Sequence, residues 1–183
     1  MTRAYGMAGR VVAGHASALS AMLPDEARRT IDELREAGIG IVTLPAANLF
    51  LQGREAERLP PRGLTRVKEL LAAGIPVAAA SDNIGDPFVP TGSGDLLEIA
   101  RWTLLAGQLG LSDLRTVFEM VSSVPAGMIG LGADWGIRRG ARADLLIARA
   151  ETIDDLTAEG ALERTVMIAG HVVWATSAKS APQ

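Results

Sequence analysis

The sequence contains no cysteine. Disulfides, thiolate nucleophiles and thiolate metal sites are excluded, which leaves histidine and carboxylates as the strong ligands. Histidine is itself scarce, with His15 and His171 the only two. Aromatic residues make up 4% of the chain, and Lys68 and Lys179 are the only lysines. The arginines are scattered among acids, the formal net charge is −3 and the isoelectric point is near 5.4. With neither a basic stripe nor stacking platforms, nucleic acid is excluded as a partner. No apolar run approaches the roughly 20 residues that span a bilayer, and Met1 to Gly6 leads into no signal-peptide apolar region. The expectation is a soluble cytoplasmic protein with no membrane partner.

Apolar residue is what the chain has in quantity. Of its 183 residues 48% are hydrophobic and 21% charged, and the mean hydropathy is +0.21. That suits one domain, or one domain and a small piece, folded around a core.

Short apolar runs alternate with helical patterns. Val11 to Ala13, Ile39 to Leu44 and Ile75 to Ala80 read as buried strands. Between them, Pro24-Asp25-Glu26 opens a helix with Ala27, Ile31 and Leu34 on one face and Gly38 as its stop. Pro45 closes the second strand, and a loop follows. Leu64, Val67, Leu70 and Leu71 then mark a second helix ending at Gly74. The alternation predicts βαβ units and a parallel sheet buried on both faces, with the three strands as neighbours. Helices are expected from Ser93 to Leu105, from Ser112 to Val121 and from Pro125 to Leu131, the first two capped by their serines. Beyond Trp135, Ala143 to Ile147, Val166 to Ile168 and Val172 to Trp174 read as a small antiparallel element, with a tight turn at Gly170-His171. Ala175 to Gln183 carries no pattern and is expected to fray.

Ligand and catalytic groups in parallel α/β folds gather at the C-terminal ends of strands. His15 and Asp82 each stand at such an end. Taken alone, His15 reads as a structural histidine and Asp82 as a turn cap. Taken together they are the pair a metal site would draw from different strands. His171 reads as a surface turn residue. Thr91 to Asp95 is glycine-rich, yet it lacks the preceding strand, the lysine and the spacing of a phosphate cradle. Trp102, Trp135 and Trp174 are expected in the core or at element junctions.

Three stretches carry a resemblance: Val11 to Ala18, Asn48-Leu49-Phe50-Leu51-Gln52-Gly53-Arg54, and Ala80-Ser81-Asp82-Asn83-Ile84-Gly85-Asp86-Pro87-Phe88. In order, and continued by Arg62 to Leu71, Pro90 to Asp95 and Gly136 to Leu146, they resemble the cytosine deaminase group of the amidohydrolase superfamily and its triazine-ring aminohydrolase relatives. The resemblance implies an α/β fold, the C-terminal part of a (β/α)8 barrel. Residues 1–135 would supply strands six to eight, and residues 136–183 the C-terminal strands of a small β-sandwich.

By the same resemblance, a divalent metal, zinc or iron, activates water for attack on a ring carbon that carries an amino group. Asp82 matches a metal ligand that also accepts a proton from that water, and His15 matches a histidine that polarises the nucleophile. Asn83 and Phe88 match substrate-pocket positions that are frequently Asp and Trp in cytosine deaminases. The His-x-His pair, the further histidine ligand and the His-x-x-Glu glutamate of the family are missing. The expected activity is deamination of a small nitrogen heterocycle, with the chain inactive and weakly metal-binding, or metal-free, by itself. Either the chain is a truncated product or a complementary N-terminal half completes it, and the isolated chain is expected to self-associate through its open edges. The alternative is a non-catalytic α/β interaction module.

Overall fold

The computed structural model describes residues 1–59 and 61–177. Three short strands form a parallel sheet in the order β1 (Val11–Gly14), β2 (Ile39–Thr43), β3 (Val77–Ala79). Val11 pairs with Ile39, and Ile41 with Val77. These are the strands the apolar runs predict, and they are neighbours. β3 is shorter than its apolar run because Pro76 has no N–H to give the ladder. Its carbonyl still accepts from Ile41 N at 2.9 Å. Among the described residues β1 and β3 pair on one side only.

Helix α1 is a single turn (Ala18–Ala21), and α2 (Pro24–Ala37) runs back between β1 and β2. Pro24 presets the first turn, Glu26 accepts from Leu23 N at 3.2 Å, and Gly38 closes the helix in the left-handed region at φ 63°. Ala27 and Ile31 are buried one turn apart and Leu34 half-buried after them, so one face of α2 lies on the core. Pro45 does not lead into a loop. It occupies the first position of α3 (Pro45–Leu51), where a missing N–H costs nothing. After a long loop, α4 (Val67–Ala72) returns the chain to β3.

Helix α5 (Leu96–Ala106) is capped by Asp95, whose Oδ1 accepts from Leu97 N at 3.0 Å, and not by Ser93. Ser112 likewise falls within a one-turn 3-10 segment, Leu111–Asp113, ahead of α6 (Leu114–Met120). Ser93 lies three residues and Ser112 two residues before the helix proper, and aspartate takes the junction in each case. α7 (Ser123–Met128) completes this layer. The main core joins Ile31, Ile41, Leu70, Val77, Val117 and Met120 from five elements around the parallel sheet.

The C-terminal part is an antiparallel sheet in the order β4 (Leu145–Ala148), β5 (Arg164–Ile168), β6 (His171–Thr176). Between β4 and β5 an unforeseen helix, α8 (Ile153–Glu159), is capped by Thr152 Oγ1 accepting from Asp155 N at 3.0 Å. It packs on α5 and α6. The β5–β6 turn is Ala169-Gly170, both at positive φ, and His171 is the first residue of β6 rather than part of the turn. β6 extends through Thr176, so Ala175 and Thr176 are ordered in the sheet, while positions 178–183 lie outside the described residues. Trp102 and Trp174 are 44% and 49% exposed and do not belong to the core, and Trp135 is half-buried.

Candidate active site

The parallel ladder continues one step past its strands. His15 N donates to Val42 O at 3.0 Å, and Ala80 N to Thr43 O at 3.1 Å. β1 and β3 therefore run out at the same edge, and they deliver His15 and Asp82 there. Both residues leave the extended conformation abruptly, at φ 60° and φ 65°. A residue other than glycine with positive φ is uncommon, and such positions cost about 1–3 kcal/mol each and cluster at functional sites. At His15 the bend is a tight γ-turn, closed by Ala16 N donating to Gly14 O at 2.7 Å.

These bends turn the two side chains toward each other. His15 Nε2 lies 3.5 Å from Asp82 Oδ2, with the side chains 45% and 30% exposed. The other ring nitrogen, Nδ1, is 2.7 Å from Asn48 Oδ1 on α3. Asn48 is 2% exposed, and its Nδ2 donates to Gly63 O at 2.7 Å. Gly63 adopts φ 61°, and a Cβ there would run into the stem of Gln52. A line of contacts thus runs from Gly63 through Asn48 and His15 to Asp82.

The two candidate pocket residues are not drawn onto this pair. Asn83 donates through Nδ2 to Asp86 Oδ2 within its own loop. The Asp86 carboxyl is held below its ordinary range chiefly by Val89 N–H. Desolvation opposes that shift, and Asn83 and Phe88 N–H reinforce it. The Phe88 ring is exposed. Asn83 lines a cavity of about 280 Å³ with Phe50, Ser81, Ile84, Glu98 and Trp102, and none of His15, Asp82 and Phe88 lines it. His171 is exposed at the start of β6, in the other sheet.

Asn48 and Asp86 carry the local hydrogen bonding and were not anticipated as site residues. A short polar residue inside an apolar helical run, as Asn48 is between Ala47 and Leu49, is the one signal that could have pointed to it. As a metal shell the pair falls short. A catalytic divalent ion takes about three protein ligands and keeps one open position. Among the described residues no three of His, Asp and Glu gather to hold one. What the pair can do chemically is hold and deprotonate a water between an imidazole nitrogen and a carboxylate. No helix of the described residues is long and apolar enough to cross a membrane.

The sequence profile of the amidohydrolase family matches residues 1–174. A pterin deaminase of Rhizobium rhizogenes is 37% identical over 169 residues, which is 92% of this chain and 38% of that protein. The crystal structure of 5-methylcytosine deaminase from Klebsiella pneumoniae, liganded with 5-fluorocytosine, superposes with a TM-score of 0.91 at 31% identity, covering 100% of this chain and 44% of that one. An adenosine deaminase from Xanthomonas campestris with bound zinc shares the fold at 19% identity and a TM-score of 0.67, over 93% of this chain and 37% of the other. The chain spans about two fifths of the length of these relatives.

Proposed function

The chain belongs to the amidohydrolase family, and from that premise we propose that it is the C-terminal segment of a deaminase acting on an amino-bearing nitrogen heterocycle. In this reading β1, β2 and β3 are strands six, seven and eight of a (β/α)8 barrel formed by residues 1–135, and residues 136–183 belong to the β-sandwich. The observation that carries the reading is the His15–Asp82 pair, 3.5 Å apart at the C-terminal edge of a parallel sheet. That edge is where barrel enzymes place their chemistry. The names of the relatives, a pterin deaminase and a 5-methylcytosine deaminase, suggest a flat ring whose amino-bearing carbon is attacked by water.

Asp82 takes the proton of the attacking water, and His15 Nε2 holds that water against the ring carbon. Each group acts from a fixed position, and proton transfer of this kind contributes about 10²–10⁴-fold. Asn83 and Phe88, on the loop beyond Asp82, would border the ring once the rest of the barrel is in place. A divalent metal, zinc or iron, would acidify the water in the complete enzyme. Two donors do not hold it, so the remaining ligands and the proton-delivering glutamate would come from outside residues 1–183. The chain by itself is then inactive.

The test is to produce residues 1–183 together with a chain that supplies the rest of the barrel. Ammonia release from an aminopyrimidine or a pterin is expected from the assembly and not from the chain alone. Stoichiometric zinc with ammonia release by the 183-residue chain would overturn this reading. The single-sided edges of β1 and β3 favour a second reading, a non-catalytic module that associates through them. A stable assembly without turnover would select it.

A further inference from the structure

We propose that Asn48 is a positioning residue that fixes His15 in the tautomer protonated at Nδ1, so that Nε2 faces Asp82 with its lone pair free. The orientation of the Asn48 amide is settled by its partners. Gly63 O can only accept, so the atom 2.7 Å from it is the Nδ2 donor. The amide oxygen is then the atom facing His15 Nδ1 at 2.7 Å, and an oxygen that only accepts requires a proton on that nitrogen. Because Asn48 is buried, solvent does not offer its oxygen a substitute donor, and reversing the ring's tautomer would leave that acceptor unpaired.

The consequence falls on the other side of the ring. A neutral imidazole carries one proton, and with Nδ1 holding it, Nε2 is an acceptor aimed at the Asp82 carboxylate 3.5 Å away. Two acceptors at that separation share a hydrogen-bond donor between them, and a water supplies two. Gly63 supports the device from behind, since its left-handed backbone and lack of a side chain let its carbonyl meet Asn48. That Nε2 meets the attacking water rests on the deaminase reading, whereas the tautomer does not.

The test is nitrogen magnetic resonance on ¹⁵N-labelled chain with His171→Gln, which leaves His15 as the only imidazole. The measurement is made about two pH units above the ordinary imidazole value of about 6.5. It works in solution or on sedimented protein. His15 is expected to show a protonated Nδ1 and a bare Nε2, with the Nδ1–H form in at least about tenfold excess, as one hydrogen bond can impose.

Asn48→Asp keeps an acceptor toward Nδ1 while giving up the donor to Gly63 O, and is expected to keep Nδ1 protonated. Asn48→Leu removes it and is expected to return the ring to the Nε2–H form that solvated histidines favour. A bare Nδ1 in the otherwise unaltered chain would overturn the proposal whether or not the leucine variant folds. So would an unchanged tautomer in a folded Asn48→Leu chain. Absence of ammonia release from the completed barrel, with the Nδ1–H form intact, would remove the deaminase reading and leave the tautomer standing.

Discussion

Arg164 on β5 donates from Nη1 to Asp95 Oδ2 at 2.6 Å, tying the antiparallel sheet to the helix that covers the parallel one. The guanidinium is held on its other side by Ala161 O, 2.6 Å from Nε, and Asp95 spends its second oxygen on Leu97 N. Asp95→Ala therefore loses a cap, worth about 1 kcal/mol, and a charge-assisted bond, worth about 1.5–3 kcal/mol. Urea unfolding is expected to show a loss of about 2.5–4 kcal/mol, while Asp95→Asn, which keeps the cap and gives up the charge-assisted bond, loses about 1.5–3 kcal/mol. Equal losses for the two variants would mean that the bond to Arg164 alone matters and the cap adds nothing.

A second expectation concerns acid. Asp144 is held below the ordinary carboxylate range chiefly by Ala169 N–H, which donates at 2.8 Å. Desolvation works against this, and the Arg142 guanidinium adds to it. A carboxyl depressed in the folded state stabilises fully above its unfolded value of about 3.9 and loses that contribution as pH falls through the folded value. The stability gap between the wild-type chain and Asp144→Ala is thus expected to be level from about pH 7 to 5 and to close below about pH 4. Thermal melts across that range check it, and a gap that widens in acid would contradict the hydrogen bonding described.

Packing gives a third. Leu70 is fully buried on α4 and Leu105 is 69% exposed on α5. Leu70→Ala is expected to cost about 2–5 kcal/mol through lost burial and a residual cavity, and Leu105→Ala to stay within about 0.5 kcal/mol. Denaturant midpoints separate the two without ambiguity.

The parallel sheet was legible because its strands are apolar on both faces, so each appears as a run bounded by Gly, Pro or Asp. Ile39 to Leu44 and Ile75 to Ala80 announce themselves in that way. The ends of the helices were not legible to the residue, since Ser93 and Asp95 are both good caps and only the packing of Leu97 against the core chooses between them. α8 was missed because Ile153 and Leu156 give too few apolar positions for a periodic signal. In the candidate site, the strand ends bring His15 and Asp82 together as the apolar runs imply. Asn48 was hidden because its value lies in a bond to Gly63, fifteen residues away around a loop whose course the local pattern does not fix.

Association is the fourth expectation. Among the described residues β1 and β3 are open edges, Val12 is exposed on the first, and Val172, Val173 and Trp174 are exposed along β6, itself an edge strand. Such edges template pairing with other chains. Light scattering at tens of micromolar is expected to return oligomers or larger aggregates of the isolated chain, and, on the proposed barrel reading, a chain supplying strands to those edges is expected to suppress them. A stable monomer would show that these edges are self-sufficient.

The last expectation separates the two histidines and tests the carboxylate in the assembly proposed above, where a second chain completes the barrel. Asp82→Asn removes the charge and the proton acceptor while keeping the shape, and asparagine tolerates the φ of 65° found there. Folding is therefore expected to survive, as far-ultraviolet circular dichroism would record. If Asp82 accepts the proton of the attacking water, turnover falls by at least about 10²-fold, with KM moving far less, because the lost group acts in the transition state. His171 is exposed on β6, in the other sheet from His15 and Asp82, and His171→Ala is expected to keep turnover within about twofold, as surface substitutions usually leave a fold intact. Retention of near-full turnover by Asp82→Asn, or its loss in His171→Ala, would move the chemistry away from the edge where β1 and β3 end.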